Sequence, residues 1–117
     1  KELLMTKIHE DHNGVFVRAI SKNFGGDDVE GHRYDWTAGI KTGSIQFQLG
    51  PVKKAGLNGL TNEALLAILI HRTEYLNKQF PCRENEYAIE LMKRAHECFE
   101  SRTKNRIARN VEGKNLI

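Results

Sequence analysis

Alternating apolar and polar residues predict strands and turns in the first 60 positions of the chain. Residues 14–20 are rich in β-branched and aromatic side chains, and the turn signal Asn13-Gly14 stands at their start. A second strand is predicted over residues 34–38. A third is predicted over 43–50, where apolar side chains alternate with polar ones until Gly50-Pro51 ends the pattern.

Helical spacing of the apolar residues begins at about position 61. Thr61 is a good N-cap, and Glu63 stands in the first turn, where the helix dipole favours an acidic side chain. This first helix is expected to run to about Lys78, because Pro81 disfavours a helical conformation of Phe80. A second helix is expected from about residue 83 to 110, with an apolar face made of Ala88, Leu91, Met92, Ala95, Cys98 and Phe99. Residues 53–60 are expected to form a loop that could include one helical turn.

Strands followed by helices predict an α+β fold. A length of 117 residues fits one domain over 1–117, with a β-rich part over 1–60 and a helical hairpin over 61–113. A second helix of about 27 residues would be roughly 40 Å long, whereas a compact domain of this size has a radius of gyration of about 13 Å. We therefore expect the helix to bury its apolar stripe against another chain in a homo-oligomer.

The composition excludes membrane-spanning and disordered classes of protein. Apolar residues make up 39% of the chain and charged residues 28%. The longest apolar run covers residues 64–70, whereas a transmembrane helix needs about 20 residues. The first seven residues lack the pattern of a signal peptide, and Met5 is the expected natural start. Cys82 and Cys98 are therefore predicted to be free thiols in a reducing cytosol.

The positive charge is concentrated in two short blocks. The net charge is +3, yet residues 41–60 carry three basic and no acidic side chains, and residues 101–117 carry five basic and one acidic. The two remaining segments are each slightly acidic. This distribution suggests a small anionic ligand rather than a long polyanion.

Three arginines continue the apolar stripe of the second helix at its end. Arg102, Arg106 and Arg109 are spaced four and three residues apart, so they share one helix face. The C-terminal dipole favours cations there, and the planar guanidinium suits bidentate binding of phosphate. The alternative is a solvated, salt-bridged helix end, although no acidic residue stands at i−4 of any of the three.

The turn between the helices is a second candidate, over residues 80–85. Phe80 could stack on a base, and the backbone amides that open the second helix could hold an anion. A hydrophobic staple with a helix cap is the commoner arrangement of such residues. The strand segment 41–44 is a third candidate, since Lys41 and Thr42 could contact phosphate or could simply form a polar strand edge.

Signals for catalysis and metal binding are poor. The sequence contains no Ser-His-Asp order, HExxH motif or Walker loop. His9 and His12 have the spacing of metal ligands but fall near an expected frayed terminus. We therefore predict no enzyme activity, no metal and no cofactor. His71 and His96 are the candidate bases should the protein cleave a nucleotide.

Several segments resemble a known family. Residues 40–51 and 56–66 are similar to those of phage anti-Thoeris signal-sponge proteins, and so are residues 80–85. The match continues over Arg102, Thr103, Arg106, Ala108, Arg109, Val111, Glu112 and Gly113. The helical hairpin also resembles that of phage anti-CBASS cyclic-nucleotide sponges.

The resemblance implies a binding protein rather than an enzyme. Such sponges hold intact the TIR-derived signal glycocyclic ADP-ribose in the cytoplasm of the infected bacterium. Relatives form dimers, or hexamers built as trimers of dimers, and some bind cyclic trinucleotides at separate sites near the symmetry axis. A small antiparallel sheet packed on a long two-helix hairpin is the expected fold. The ligand-binding residues that the resemblance implies are Phe80, Arg83, Asn85, Arg102, Arg106 and Arg109, with Lys41 and Thr42 as additional candidates.

Two other functions stay open at the level of the sequence. One is a nucleotide-cleaving enzyme that uses His71 or His96. The other is a nucleic-acid or protein-binding adaptor that uses its basic C-terminal helix, although nucleic acid is not the partner we expect. The adaptor would bind DNA or RNA in a salt-sensitive way.

Overall fold

A computed structural model describes residues 5–110 and confirms the α+β class. Four antiparallel strands come first along the chain and three helices follow. The predicted match over Val111, Glu112 and Gly113 lies outside the described residues. The elements are β1 (Met5–Glu10), β2 (Phe16–Lys22), β3 (Asp28–Ala38), β4 (Lys41–Gln46), α1 (Val52–Ala55), α2 (Asn62–Gln79) and α3 (Arg83–Ala108).

The four strands form a meander in which each strand pairs with the next along the chain. Cross-strand register places Lys7, Arg18, Asp35 and Ser44 opposite one another in a single row. Since side chains alternate between the two faces of a strand, this row belongs to one polar face of the sheet. Trp36 and Gly43 are paired on the opposite face.

Strand β1 was not predicted from the sequence, where this region was expected to fray. All six of its residues are exposed, so it has no half-buried apolar alternation that could have signalled a strand. Its backbone pairs with β2, with a register shift between Lys7 and His9. Backbone hydrogen bonding, which leaves little trace in the amino-acid pattern, therefore extends the sheet at this edge.

The predicted strand over 43–50 was partly wrong, because β4 begins at Lys41 and ends at Gln46. The chain then forms an isolated parallel bridge between Phe47 and Leu60. The amide of Gln48 donates to the carbonyl of Leu60 at 2.9 Å, and the amide of Leu60 donates to the carbonyl of Gln46 at 2.8 Å. These two hydrogen bonds close the loop that contains α1. The sequence predicted a loop with one possible helical turn in this region, and α1 is that turn.

The two long helices begin and end close to the predicted positions. Thr61 is the N-cap of α2, since its hydroxyl accepts from the amide of Ala64 at 3.1 Å. Phe80 leaves the helix with φ −134°, as expected of a residue before proline. Helix α3 ends at Ala108, two residues earlier than predicted, because Asn110 takes a left-handed φ of 60°. Asparagine tolerates that conformation better than most residues.

The chain divides into two compact units that follow its secondary structure. One contains the sheet and most of the loop that ends at Leu60, and the other contains α2 and α3. The prediction of a single domain over the whole chain stays a prediction. Among the described helices, none combines the length and the apolar character that crossing a bilayer requires.

We predict that Gly59→Ala destabilises the sheet unit by about 1–3 kcal/mol, as overpacking does. An added Cβ would lie 2.5 Å from the carbonyl carbon of Phe47 and 2.7 Å from the oxygen of Gln46. Both are backbone atoms, so the chain itself would have to move and the bridge to Leu60 would be disturbed. Chemical denaturation of the full chain measures the change in the free energy of unfolding.

Gly25→Ala is the matched control, because nothing lies within 4 Å of a Cβ at that position. It should change the free energy of unfolding by less than about 0.5 kcal/mol. Equal stability of the two variants would contradict the close backbone approach at Gly59.

Candidate functional site

The turn between α2 and α3 presents an aromatic side chain to solvent. Phe80 is 73% exposed. The backbone beneath it is fixed from both sides, because the amide of Cys82 donates to Asn77 Oδ1 at 3.0 Å and the thiol of Cys82 accepts from the amide of Asn85 at 3.4 Å. Cys82 is therefore the N-cap of α3. Such a fixed turn could offer Phe80 for stacking at little conformational cost.

Cationic and aromatic groups continue from this turn into the first turns of α3. Arg83, Glu84 and Tyr87 line a shallow hollow at the helix start. Tyr87 is 61% exposed, and Arg83 is exposed as well. We call the region from Phe80 to Tyr87 the hairpin tip. Its side chains can stack on a ring and can pair with an anion.

The opposite end of the hairpin carries the three arginines. Thr103 lies next to the start of α2, since its hydroxyl is 3.2 Å from Glu63 Oε2. Arg102 and Arg109 are exposed, whereas Arg106 is only 5% exposed. Arg106 and Arg109 both have interaction partners. We call the region around Arg102, Arg106 and Arg109 the arginine end.

Arg106 is far less exposed than an ordinary surface arginine. Burying a charged group is costly unless the group is paired or hydrogen-bonded, so charged side chains are seldom this inaccessible. The alternative of a wholly solvated helix end is therefore wrong for Arg106. It stays open for Arg102 and Arg109.

The hairpin tip and the arginine end lie far apart within one chain. Helix α3 contains 26 residues. At 1.5 Å per residue, the backbone of Arg83 lies about 35 Å from that of Arg106. The chain therefore does not bring its two predicted groups of ligand-binding residues together.

Lys41 and Thr42 belong to the sheet unit. Lys41 is exposed at the start of β4. The hydroxyl of Thr42 donates to the carbonyl of Trp36 at 2.8 Å. This bond uses the proton that the hydroxyl would offer to phosphate, so Thr42 could only accept from a ligand unless it rotates.

The polar face of the sheet holds an ionic network that sequence reasoning missed. Asp35 accepts from Ser44 Oγ at 2.7 Å and from Arg33 Nε at 3.2 Å. Burial raises the pKa of Asp35, but the hydrogen bonds from Ser44 and Arg33 and the charges of Arg33 and Arg18 outweigh it, so the pKa lies below the ordinary 3.8. Asp35 is therefore ionised at neutral pH.

A comparison with known proteins finds a relative along nearly the whole chain. The protein named Thoeris anti-defense 1, from Bacillus phage SBSphiJ7, is 36% identical over 112 residues. The match covers 95% of this chain and 69% of the relative. The chain belongs to the Thoeris anti-defense 1 family. No family model matches the chain.

Membership of the Thoeris anti-defense 1 family confirms the resemblance to phage anti-Thoeris proteins. It does not assign roles to residues, so the predicted ligand set stays a prediction. Phe80, Arg83 and Asn85 lie together at the hairpin tip, and the three arginines lie together at the other end of α3.

The two histidines of the alternative enzyme line one groove along the helical hairpin of this chain. His71 on α2 and His96 on α3 share this groove with Glu74, Lys93 and Glu100. His96 Nδ1 is 3.5 Å from Glu100 Oε1, an i,i+4 contact that is ionic only when the histidine is protonated. Within residues 5–110, no three His, Cys, Asp or Glu side chains are grouped so that they could hold a metal ion.

The residues that sequence reasoning missed lie in the strands. Arg18 and Arg33 each follow the two-residue alternation that places them on one sheet face with Asp35. The signal was present in the sequence, because charged residues recur at every second position around 33–35.

Proposed function

We propose that this protein binds glycocyclic ADP-ribose, a signal made by bacterial TIR proteins, and sequesters it without cleavage in the infected cell. Loss of the signal would block Thoeris immunity. The arginine end of α3 is the observation that carries the proposal, since it places exposed Arg102 and Arg109 beside buried Arg106 at one helix end, where guanidinium groups suit phosphate. The name of the relative from Bacillus phage SBSphiJ7 supports the anti-Thoeris role.

The chemistry of the ligand matches the two ends of the hairpin. Glycocyclic ADP-ribose carries a pyrophosphate and an adenine. Arginine forks suit the pyrophosphate oxygens, and exposed Phe80 suits the face of the adenine ring. A sponge needs tight binding and requires neither a nucleophile nor a base.

One ligand can contact both ends only if two chains contribute. The ends are separated by about 35 Å of helix in one chain, which is much longer than a dinucleotide-sized ligand can bridge. A second hairpin related by a two-fold axis would place its tip beside the arginine end of the first. We therefore propose a dimer with two equivalent shared sites, which could further assemble into a hexamer as a trimer of dimers.

The hairpin leaves apolar side chains for such an interface. Ile68 and Leu69 on α2 are 54% and 42% exposed, and Leu91 on α3 is 45% exposed. A second copy that covers them would gain hydrophobic burial. Cyclic trinucleotides are proposed as additional ligands at separate sites near the symmetry axis of the assembly.

Release of intact ligand after heating tests sequestration directly. The full chain is incubated with glycocyclic ADP-ribose, washed to remove unbound ligand and then heat-denatured. We expect mass spectrometry to recover the unchanged nucleotide in proportion to the protein. A cleaved product would contradict sequestration and favour the enzyme that uses His71 or His96.

A low-salt test with DNA and RNA separates the adaptor from the sponge. Retention of either nucleic acid at low salt, with loss at higher salt, would favour the adaptor. The sponge predicts no such retention.

Arg106→Ala and Arg109→Ala should each weaken binding of glycocyclic ADP-ribose by more than about 1.5 kcal/mol, as expected for a charged hydrogen bond. That loss raises Kd more than about tenfold and is measured by calorimetry. Arg109 is exposed, so its variant reports on binding even if the loss of buried Arg106 disturbs the fold.

Arg94→Ala is the control from the same helix. Its side chain is 70% exposed and pairs with Glu90 at 3.4 Å on the helix surface. An exposed pair of this kind contributes little to stability, so affinity should stay within about threefold of the wild type. Unchanged affinity in both Arg106→Ala and Arg109→Ala would remove the arginine end from the site.

Mixing two inactive variants tests whether two chains share each site. Phe80→Ala and Arg109→Ala are unfolded together, refolded at equal concentrations and assayed for bound nucleotide. Random pairing in a two-fold dimer makes half of the dimers mixed, each with one intact site, so about one quarter of all sites should bind. Each variant refolded alone should show far less binding.

A site contained within one chain predicts no recovery on mixing, and that result would overturn the shared site. Phe80→Ala mixed with a second sample of Phe80→Ala controls for the effect of refolding. A mixture of Arg106→Ala and Arg109→Ala is a further control, because both changes affect the same end and no mixed dimer gains an intact site.

A further inference from the structure

Arg18 is held at the centre of the polar face of the sheet with an unused donor. Its guanidinium carbon lies 5.1 Å from the centroid of the Phe16 ring, so a cation–π contact fixes its position. Its Nη2 donates to Thr37 Oγ1 at 3.3 Å. Within residues 5–110, its Nε is the buried side-chain polar atom that lacks a hydrogen-bond partner.

The neighbouring carboxylate does not satisfy that donor. Asp35 is paired with Arg18 in the register of the sheet. Its oxygens accept instead from Ser44 and Arg33, at 2.7 and 3.2 Å. Arg18 acts on Asp35 through its charge and leaves its own Nε–H without an acceptor.

An unsatisfied buried donor costs folding free energy, and an incoming acceptor would recover that cost. The Nε and Nη groups of arginine form a fork that matches two oxygens of one anion. The Thr37 hydroxyl accepts from Arg18, so its own proton can point towards the same anion. Because Nε is buried, an anion at the surface reaches it only if the side chain moves outward from its contact with Phe16.

We propose that Arg18 and Thr37 bind an oxyanion, the phosphate or carboxylate group of a small ligand, on the polar face of the sheet. Lys7 and Arg33 add positive charge to this face, and Glu10 and Asp35 offset part of it. One excess positive charge remains for the ligand. The site lies within the sheet unit and does not rest on the proposed function of the arginine end.

Nitrogen-15 NMR of arginine Nε–H groups tests the proposal on the full chain. Inorganic phosphate, acetate and chloride are titrated separately at constant ionic strength, and Arg18→Lys identifies the Arg18 signal by its loss. We expect a saturable shift of that signal with half-saturation near or below about 5 mM for phosphate, acetate or both. The two arms distinguish a phosphate source of the oxyanion from a carboxylate source.

Three variants separate specific binding from general charge, with affinity read from the backbone amide signal of residue 37. Arg18→Lys keeps the charge but lacks the fork, so it should weaken anion binding at least tenfold. Thr37→Val should weaken binding about threefold or more and leaves Arg18 in place. Lys7→Ala removes a charge from the same face and should change affinity by less than about threefold.

Clear outcomes would overturn the site. An Arg18 signal that does not move, or that moves equally with chloride, would show that no oxyanion binds there. Equal loss in Lys7→Ala and Arg18→Lys would reduce the effect to diffuse charge. If Arg18→Lys fails to fold, Thr37→Val decides, and unchanged affinity in that variant contradicts the proposal. Arg109→Ala, a change at an exposed residue, should leave the Arg18 shift unchanged, which separates this site from the arginine end.

Discussion

The length of α3 determines which of the predicted ligand-binding residues a single chain can bring together. A continuous helix of 26 residues keeps the hairpin tip and the arginine end about 35 Å apart, and no side chain can span that distance. The caps fix both limits, with Cys82 at the start and left-handed Asn110 just beyond the end. Phe80 and the three arginines of the arginine end therefore lie at opposite ends of one helix. One ligand can contact both ends only if a second chain places its own α3 antiparallel to the first.

The stripe that packs the hairpin and the group proposed to bind phosphate are parts of one helix face. Apolar side chains follow this face through most of α3, and Arg106 continues it into a buried position. A buried guanidinium loses hydration, and that loss is tolerable because the side chain is held by partners. The same confinement removes rotamer freedom before any ligand arrives, so an anion would meet an oriented donor. The proposed phosphate site and the packing of the hairpin would then use the same helical periodicity.

The sequence predicted the helices better than the sheet, for a physical reason. Thr61, Pro81 and the regular apolar spacing are local signals, and they located α2 and α3 to within two residues. Strand β1 is exposed along its whole length and is held by backbone pairing with the neighbouring strand β2, so its side chains carried no pattern. The return of the chain at Leu60 likewise depends on Gly59 meeting the backbone of Phe47, a contact that the local sequence does not encode. For the candidate site, helical spacing predicted one face for the three arginines, and that grouping as a ligand site stays a prediction. Periodicity could not show that Arg106 is buried while Arg102 and Arg109 are exposed.

The polar face of the sheet was overlooked for a related reason, and its energetics point to binding. The local sequence gives no sign that these charged residues pair, yet cross-strand register gathers Arg18, Arg33 and Asp35 into one network. Stability alone would favour pairing every buried donor, and Asp35 shows that the fold can do so, with Ser44 and Arg33 both donating to it. Arg18 Nε is left out of that pairing while its ring contact holds the guanidinium in place. The fold holds the Arg18 guanidinium in place without an acceptor for its Nε–H, which lowers the free energy of unfolding. An oxygen of a bound ligand would restore that stability.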